Sequence, residues 1–334
     1  MMASDRVVVD LIAVIAAVTR EVPRILTVRR SPRSFGREPS SVRKATVEAL
    51  VSGPLDPAGD RTLELQLRSW VAQQTGLDVG YVEQLYTFGD RNRGTLRRLD
   101  GPRVISIAYL ALVRETSVSG AAGARWQDWY RFLPWEDWRS GRPAVLDRAI
   151  VPQLEAWVEA SPSAAAGRLR RERSTIAFGL EGAYWDEERV LERYELLYEV
   201  GLVEEARRDR GEAPGENGPR RFLGQALASD HRRILATALS RLRGKLKYRP
   251  LVFELLPPVF TLLQLQKVVE ALSGVRLHKQ NFRRLVERGG LVEGTGKQDT
   301  QTGGRPAELF RFRREVLRER LAPGVGLPGA RPGG

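Results

Sequence analysis

Residues 260–313 read FTLLQLQKVVEALSGVRLHKQNFRRLVERGGLVEGTGKQDTQTGGRPAELFRFR, and this stretch decides how the C-terminal part of the chain folds. Thr261 is a residue type that caps helix N-termini. Apolar residues then recur at the spacing of one helix face: Leu262, Leu265, Val268, Val269 and Leu272. Gly274 ends the predicted helix, because glycine accepts the left-handed conformation found at helix C-termini.

A second, shorter helix is predicted over residues 279–287. Its apolar face carries Phe282, Leu285 and Val286, and its other face carries basic and amide side chains: Lys279, Gln280, Asn281, Arg283 and Arg284. A hairpin follows, with strands at 291–293 and 307–312 around a glycine-rich polar tip. Helix, turn, basic helix and two-stranded ribbon predict a winged helix-turn-helix.

The net charge of the chain also favours a DNA-binding protein. The chain has 334 residues, a net charge of +13 and a pI near 10.5, which allows two or three domains and favours an acidic partner. Residues 221–320 hold 21 Lys/Arg against 9 Asp/Glu, so a balance of +12 lies there. We interpret this concentration as phosphate contact with DNA, with solvated surface charge as the alternative.

Other functional classes are disfavoured by composition. The chain has no cysteine, which excludes disulfides and thiolate sites, and two histidines are too few for a His-rich metal site. The apolar run at 7–18 is interrupted by Asp10 and reads as a buried strand, neither a signal peptide nor a membrane span. We expect a cytoplasmic protein without membrane association.

Before the winged helix, the order of predicted elements is strand, strand, loop, helix and two further strands. The two first strands lie in 7–30 and are joined by a Pro-containing turn. A helix at 62–75, with Asp60 as its predicted cap, ends at Gly76, and strands follow at 81–88 and 103–113.

This order resembles the Nudix fold, whose signature helix carries glutamates that hold a catalytic Mg²⁺. Counted back from Gly76, the glutamate pair of the family pattern is replaced by Gln73 and Gln74. The Arg-Glu pair is replaced by Ser69 and Trp70, and the upstream glutamate by Arg61. The resemblance therefore implies the fold without hydrolysis and without a metal site. Off-register carboxylates remain as an alternative metal set: Asp56, Asp60 and Glu64.

The stretches YVEQLYTFGDRNR (81–93) and RVISIAYLALV (103–113) look like the Nudix-related transcriptional regulators of NAD metabolism, the NrtR type. Residues 230–266, the NFRR motif at 281–284 and GRPAELFRF at 304–312 are similar to the C-terminal half of that family. The resemblance implies a repressor of NAD biosynthesis genes in which a degenerate Nudix domain senses an adenine nucleotide (ATP, NAD or ADP-ribose). No catalytic residue and no catalytic cofactor is expected.

The middle of the chain departs from the simple NrtR plan and looks like the NadQ branch of these regulators. We expect an α/β (α+β) fold divided into four parts: a Nudix-like α/β/α sandwich for sensing and dimerisation (1–145), a helical insertion extending it (146–225), a connecting helix with the winged helix (226–320) and a disordered tail (321–334). The insertion begins near a tryptophan cluster: Trp126, Trp129, Trp135 and Trp138. These indoles either pack helices or stack on an adenine.

Candidate DNA contacts follow from the predicted recognition helix. Gln280 and Asn281 suit base edges, while Arg283 or Arg284 suits guanine or phosphate. For Asn281, helix capping is an equal alternative. The full predicted set is Lys279, Gln280, Asn281, Arg283, Arg284, Lys297 and Arg305 on the winged helix, with Lys245 and Lys247 on the connecting helix. A single winged helix reads few base pairs, so we expect a homodimer on a palindromic operator.

Without metal ligands, an effector diphosphate has to be held by basic side chains. The candidates lie near the loop where Nudix proteins place a diphosphate: Arg29, Arg30, Arg37, Arg43, Lys44 and Arg68. Two other functions stay open. The chain could be a Nudix pyrophosphatase with relocated metal ligands, or its Nudix-like domain could be a dimerisation scaffold that binds nothing.

Overall fold

The computed structural model describes residues 7–30, 47–89, 103–119, 123–210, 223–300, 306–321 and 323–325. Within these ranges, the helices are too short or too polar to cross a membrane. The fold is mixed α/β, as the sequence predicts, and consists of an N-terminal sheet covered on both faces, a helical layer and a C-terminal winged helix.

The N-terminal sheet has six strands in the order β4-β5-β1-β3-β2-β6. Their bounds are β1 Val7–Thr19, β2 Val22–Arg30, β3 Val47–Pro54, β4 Tyr81–Phe88, β5 Arg103–Leu112 and β6 Arg125–Asp128. β1 and β5 are parallel and pair from Val7↔Arg103 to Ala16↔Leu112. The other pairings are antiparallel. β1 and β5 are almost wholly apolar because both faces of the sheet are covered.

One face of the sheet packs on helix α1, Leu63–Thr75, through Leu67 and Val71. α1 ends at Gly76, whose φ of 72° is the left-handed conformation expected there. The cap differs from the prediction. The Thr62 side chain accepts the Leu65 N–H, whereas Asp60 accepts the N–H of Asp56 inside the preceding loop.

The turn between β1 and β2 also differs from the prediction. It consists of Arg20 and Glu21, with φ values of 49° and 65°, and Pro23 lies inside β2 opposite Val18. Two positive φ values in a two-residue turn match the right-handed twist of a hairpin. The turn therefore projects the Glu21 side chain from the end of the sheet.

The second face of the sheet is covered by the helical layer. Three short turns (Trp129–Arg131, Pro134–Glu136 and the π-helical Leu146–Ile150) lead into helices α2 Val151–Glu159, α3 Ala164–Phe178, α4 Val190–Val200, α5 Glu204–Asp209 and α6 His231–Leu246. α6 is the predicted connecting helix and packs mainly on α4. The open part of β3 is closed by this layer, because Leu50 N–H donates to His231 Nδ1 at 2.9 Å.

The winged helix comprises β7 Phe260–Thr261, α7 Leu262–Ser273, α8 Lys279–Arg288, β8 Val292–Asp299 and β9 Ala307–Phe312, followed by α9 Val316–Glu319. Its small sheet has the order β7-β9-β8. Thr261 and Gln264 cap α7 reciprocally, and Gly274 ends it with a φ of 78°. β8 is longer than predicted, because the glycine-rich segment continues the strand through a bulge between Gly294 and Gln298.

The predicted boundaries at 145, 225 and 320 do not coincide with breaks in the hydrophobic core. One cluster joins Leu110 of β5, Trp135, Leu197 of α4, Leu242 of α6 and Leu272 of α7. It also includes Val325, which is 1% exposed. The division into four parts, with a disordered tail at 321–334, stays a prediction. Residues 326–334 lie outside the described ranges.

Candidate nucleic-acid interface and sensor domain

Helix α8 presents a face of exposed polar side chains. Phe282 and Val286 anchor it in the core. Leu285, which the sequence places on the same apolar face, is 37% exposed. All five predicted contact residues on α8 are exposed: Lys279, Gln280, Asn281, Arg283 and Arg284. None of them forms a hydrogen bond or ion pair with another part of the described chain. They are therefore free to contact a ligand.

The turn that aims α8 is held by a buried carboxylate. Glu270 of α7 is 3% exposed and accepts from Leu277 N–H at 3.1 Å, from Gln266 Nε2 at 2.8 Å and from Arg276 Nη1 at 2.8 Å. Although burial alone would raise the pKa of Glu270, the hydrogen bonds from Arg276, Gln266 and Leu277 lower it below its usual value. Glu270 thus fixes the angle between α7 and α8.

The structure bears on the two roles considered for Asn281, base contact and helix capping, and on the predicted contacts of the wing. His278 is the residue at the N-cap of α8, so the start of the helix is not capped by Asn281, which lies in the first turn. Lys297, predicted to contact DNA from the wing, is exposed and lies in the bulge of β8. Arg305 lies outside the described residues. These DNA contacts remain predictions.

Lys245 and Lys247 have other partners. Lys245 Nζ forms an ion pair with Glu83 of β4, and Lys247 Nζ lies 3.0 Å from Glu187 and 2.5 Å from Glu188. Although burial alone would lower the pKa of Lys247, these two carboxylates raise it. Both lysines tie the end of α6 to neighbouring elements, which is a structural use that competes with the predicted phosphate contact.

The face of α1 that holds metal in Nudix hydrolases carries other groups here. Trp70 lies against Gly53 and donates its indole N–H to Pro54 O at 3.1 Å. Gln74 donates to Ser52 O at 2.9 Å and accepts from Arg30 Nη2 at 3.1 Å. Among the described residues, no group of three His, Cys, Asp or Glu side chains is placed to hold a metal.

The off-register carboxylates are occupied locally. Asp60 and Asp56 accept backbone N–H groups of their own loop, and Glu64 forms an ion pair with Arg68 at 2.7 Å. None of these contacts gathers the three carboxylates around one point.

The three predicted effector residues that the structure describes, Arg29, Arg30 and Arg68, have separate surroundings. Arg30 contacts Gln74 on α1, while Arg29, its neighbour in the strand, points to the opposite face of the sheet. Arg68 donates to the carbonyls of Val79 and Gly80 and so ties α1 to the loop before β4. Arg37, Arg43 and Lys44 lie outside the described residues. An effector site made of this set stays a prediction.

The tryptophan cluster packs in the protein interior. Trp129 and Trp135 are 1% and 0% exposed, Trp138 contacts Trp185 with ring centroids 4.4 Å apart, and Trp126 donates to Thr116 O. The two buried indoles have no open face, which favours packing over adenine stacking.

A buried ion network was not predicted from the sequence. Glu136, Arg193 of α4 and Arg243 of α6 are all 0% exposed. Glu136 accepts from Arg193 Nε at 2.6 Å and Nη2 at 2.8 Å, and from Arg243 Nη1 at 2.6 Å. One carboxylate therefore joins three elements. Nothing in the local sequence WEDW distinguishes Glu136 from a surface acid, because its partners come from distant elements.

The same network reaches the winged helix. Arg243 Nε donates to Leu272 O at 3.0 Å, Tyr130 Oη donates to Ala271 O at 2.9 Å, and Trp138 N–H donates to Gly274 O at 2.7 Å. These three bonds satisfy carbonyls at the C-terminal end of α7, which would otherwise lack partners. We call the residues Tyr130, Glu136, Arg193 and Arg243 the joint.

A second contact reinforces the joint from the sheet. Glu21, in the β1–β2 turn, lies 3.1 Å from Lys267 Nζ of α7 and 3.6 Å from Arg276 Nη1. The N-terminal sheet and the winged helix are therefore connected through α7, the helix that positions α8.

Comparison with known proteins agrees with this architecture. Residues 252–312 match the family described as the NrtR DNA-binding winged helix domain. A stretch of 86 residues, 26% of the chain, is 44% identical to the ADPR responsive transcriptional repressor NtrR of Acinetobacter baylyi. That stretch spans only about a third, 34%, of the relative's length.

Two solved structures resemble the whole fold. Shewanella oneidensis NrtR complexed with a 27mer DNA is 20% identical, with a TM-score of 0.52 over 93% of this chain and 95% of its own. A MutT/nudix family protein from Enterococcus faecalis is 15% identical, with a TM-score of 0.51 over 94% and 89%. Residues 252–312 thus match the NrtR DNA-binding winged helix domain, and the fold of the whole chain is the one these two structures share, a Nudix-like domain followed by a winged helix.

Proposed function

We propose that the chain is a transcriptional repressor of NAD biosynthesis genes that binds operator DNA through α8 and responds to an adenine nucleotide. The exposed, unpaired side chains of α8 carry this proposal. A helix of ten residues with two buried anchors and five free polar groups has the form of a recognition helix in the major groove. The match to a DNA-binding domain family over the same residues supports it.

ADP-ribose is the first candidate effector. The relative from Acinetobacter baylyi is named for its response to ADPR, and its matched stretch is 44% identical to this chain. ATP and NAD share the adenosine diphosphate part and are the other candidates. The assignment to the NadQ branch stays a prediction from the tryptophan-rich stretch and the helical residues that follow it.

We infer that the Nudix-like domain does not hydrolyse its ligand. Hydrolysis in this fold needs carboxylates around a metal, and the α1 face instead carries Trp70 on Gly53 and the Arg30–Gln74 hydrogen bond. A cation at Arg30 repels Mg²⁺. The domain then acts by binding alone.

Through the joint, ligand binding in the Nudix-like domain would act on the winged helix. A ligand shifts DNA affinity only if it binds two arrangements of the protein differently. Because α7 bonds directly to Tyr130 and Arg243, a shift of these residues would move α7 and its partner α8. We also propose a homodimer, since two copies of α8 would read a palindromic operator.

Selection from a random duplex library tests DNA reading. We expect the full chain to enrich a palindromic sequence and to bind it as a dimer in light scattering. The Arg283→Ala/Arg284→Ala variant should lose that binding and keep its fold. Enrichment of no sequence, or equal binding by the variant, would contradict the proposal.

Titration with nucleotides tests the response. We expect ADP-ribose, added to the protein–operator complex, to change operator affinity, while ADP-ribose incubated with protein and Mg²⁺ stays intact. Turnover would instead favour a pyrophosphatase. Absence of binding by ADP-ribose, NAD and ATP would favour a dimerisation scaffold.

A further inference from the structure

A cavity of about 980 Å³ lies between the N-terminal sheet and the helical layer, on the face of the sheet opposite α1. We call it the seam cavity. It is bordered by the end of β4 (Tyr86, Thr87 and Phe88), by the start of β5 at Arg103, and by α4 and α6. Its volume is at the upper end of the roughly 300–1,000 Å³ typical of small-molecule sites.

The wall of the seam cavity contains two cations, Arg103 and Arg241, that form no ion pair with the described residues. Arg241 of α6 is exposed and forms no hydrogen bond with them either. It does interact electrostatically with Glu83, but that carboxylate is paired with Lys245. Within the described ranges, Arg103 donates only to the carbonyl of Gly89, at 2.9 Å. The wall also contains two carboxylates, but Glu195 is held by Arg233 at 2.6 Å and Glu188 by Lys247 at 2.5 Å. An anion at Arg103 and Arg241 therefore meets two guanidinium groups that no described carboxylate holds in an ion pair.

Aromatic rings border the same space. Tyr86 is 61% exposed and Tyr248 is 42% exposed, although both belong to ordered elements next to the core. Tyr86 is held edge-on against Phe88, with ring centroids 5.2 Å apart. An exposed ring in a fixed position suits stacking on a planar base. The cavity thus combines places for a phosphate and for a base.

We propose that the seam cavity binds the effector nucleotide, with the diphosphate at Arg103 and Arg241 and the base against Tyr86 or Tyr248. The proposal rests on the proposed nucleotide response and names a site other than the α1 face. Guanidinium groups are suited to phosphate oxygens because their N–H groups form a planar fork. On the α1 face, Arg30 and Arg68 already donate to Gln74 and to the carbonyls of Val79 and Gly80.

Helix α6 connects the seam cavity with the winged helix. Arg241 lines the cavity, and Arg243, two residues later, donates to Leu272 O of α7 and to Glu136. One turn of α6 therefore touches both the ligand and the helix that positions α8. A ligand that bridges β4 and α6 would fix the placement of α6 against the sheet, and α7 would follow.

Calorimetric titration of ADP-ribose into full-length variants tests the site. In Arg241→Glu the phosphate meets a carboxylate, and we expect affinity to fall on the order of tenfold or more. Arg249→Glu is the matched control, because it makes the same charge change at an exposed residue beyond the end of α6 that does not line the cavity. It should retain affinity within about twofold, since exposed charges are screened over this distance. Tyr86→Ser is a second variant and should also weaken binding.

Thermal unfolding and operator affinity without nucleotide check that Arg241→Glu remains folded; if it unfolds, Tyr86→Ser decides alone. Unchanged ADP-ribose affinity in Arg241→Glu and Tyr86→Ser would overturn the seam cavity as the site, and loss in Arg30→Met instead would move it to the α1 face. If the unchanged protein binds none of ADP-ribose, NAD and ATP, the proposed nucleotide response itself fails. The two failures are therefore distinguishable.

Discussion

Helices α6 and α8 are both basic, yet their cations have different surroundings. On α8, Lys279, Arg283 and Arg284 are exposed and unpaired within the described structure. On α6, Arg232 and Arg243 are 1% and 0% exposed and pair with Glu205 and Glu136. Basic residues on a helix therefore have two uses here. The buried cations of α6 join elements of the protein, and α8 keeps its exposed cations for a ligand.

The basic C-terminal region does not present all of its positive charge to DNA. Residues 221–320 carry almost the whole net charge, which the sequence alone assigns to DNA contact. Part of that charge is internal, because Arg232, Arg233 and Arg243 have carboxylate partners at Glu205, Glu195 and Glu136. We expect the DNA phosphates to be met by the exposed cations of α8 and by Lys297.

Removing the carboxylate of the joint should have the largest effect. Glu136→Gln leaves Arg193 and Arg243 buried without their counter-charge, and breaking such a pair costs about 3–5 kcal/mol. Urea unfolding of the full chain should show this loss of unfolding free energy. Glu293→Gln, which removes the partner of the exposed Arg311, should change stability little. Equal stabilities of the two variants would contradict a structural role for the joint.

Removing two cations from α8 should have the second largest effect, on DNA and not on stability. Arg283→Ala/Arg284→Ala should weaken operator binding by about 1–3 kcal/mol per residue. Its urea midpoint should match that of the unchanged protein, because exposed substitutions alter stability by about 0.5 kcal/mol or less. Fluorescence anisotropy with labelled operator measures the first quantity. A destabilised variant would show that α8 has an internal role instead.

Glu270 should make the winged helix sensitive to acid. Its folded pKa is lowered, so its stabilisation is present above the usual value of 4.5 and is lost as pH falls through the lower folded value. Glu270→Gln should remove this pH dependence and lower stability by about 1–3 kcal/mol at neutral pH, because Arg276 loses the nearer of its two carboxylate partners. Operator affinity should fall too, since Leu277 begins the turn that aims α8. Retention of the acid-dependent step in Glu270→Gln would contradict this assignment.

The smallest effect is expected at the end of α6. Lys245→Met/Lys247→Met removes the ion pairs with Glu83 and with Glu187 and Glu188. Because these pairs are partly exposed, the loss of unfolding free energy should be about 1 kcal/mol or less for each. Operator affinity at moderate salt should be unchanged within experimental error. A clear loss of DNA binding would restore both lysines as phosphate contacts.

The elements that could be predicted from sequence are those set by local patterns. α7 follows from Thr261, its apolar stripe and Gly274, and α1 follows from its stripe and Gly76. β8 was predicted too short, because a bulge keeps Gly294–Asp299 in the strand although glycine usually signals a turn. The recognition helix could therefore be placed from the sequence, whereas the full length of the wing strand β8 could not.

The candidate sites show where the sequence is insufficient. The free cations on α8 and the paired cations on α6 are the same residue types, and burial separates them. Glu136 looks like a surface acid in its own sequence, and its partners Arg193 and Arg243 are 57 and 107 residues away. Likewise, Arg29 and Arg30 are neighbours in sequence, but the strand turns them to opposite faces. Such assignments depend on tertiary packing.

The salt dependence of operator binding tests most directly whether α8, and not α6, meets the DNA. Each phosphate contact contributes roughly 0.9 to the slope of log affinity against log salt concentration. We expect Arg283→Ala/Arg284→Ala to reduce this slope by up to about 1.8 and Lys245→Met/Lys247→Met to leave it unchanged. A reduced slope in the α6 variant with an unchanged slope in the α8 variant would contradict the division of roles between the two helices.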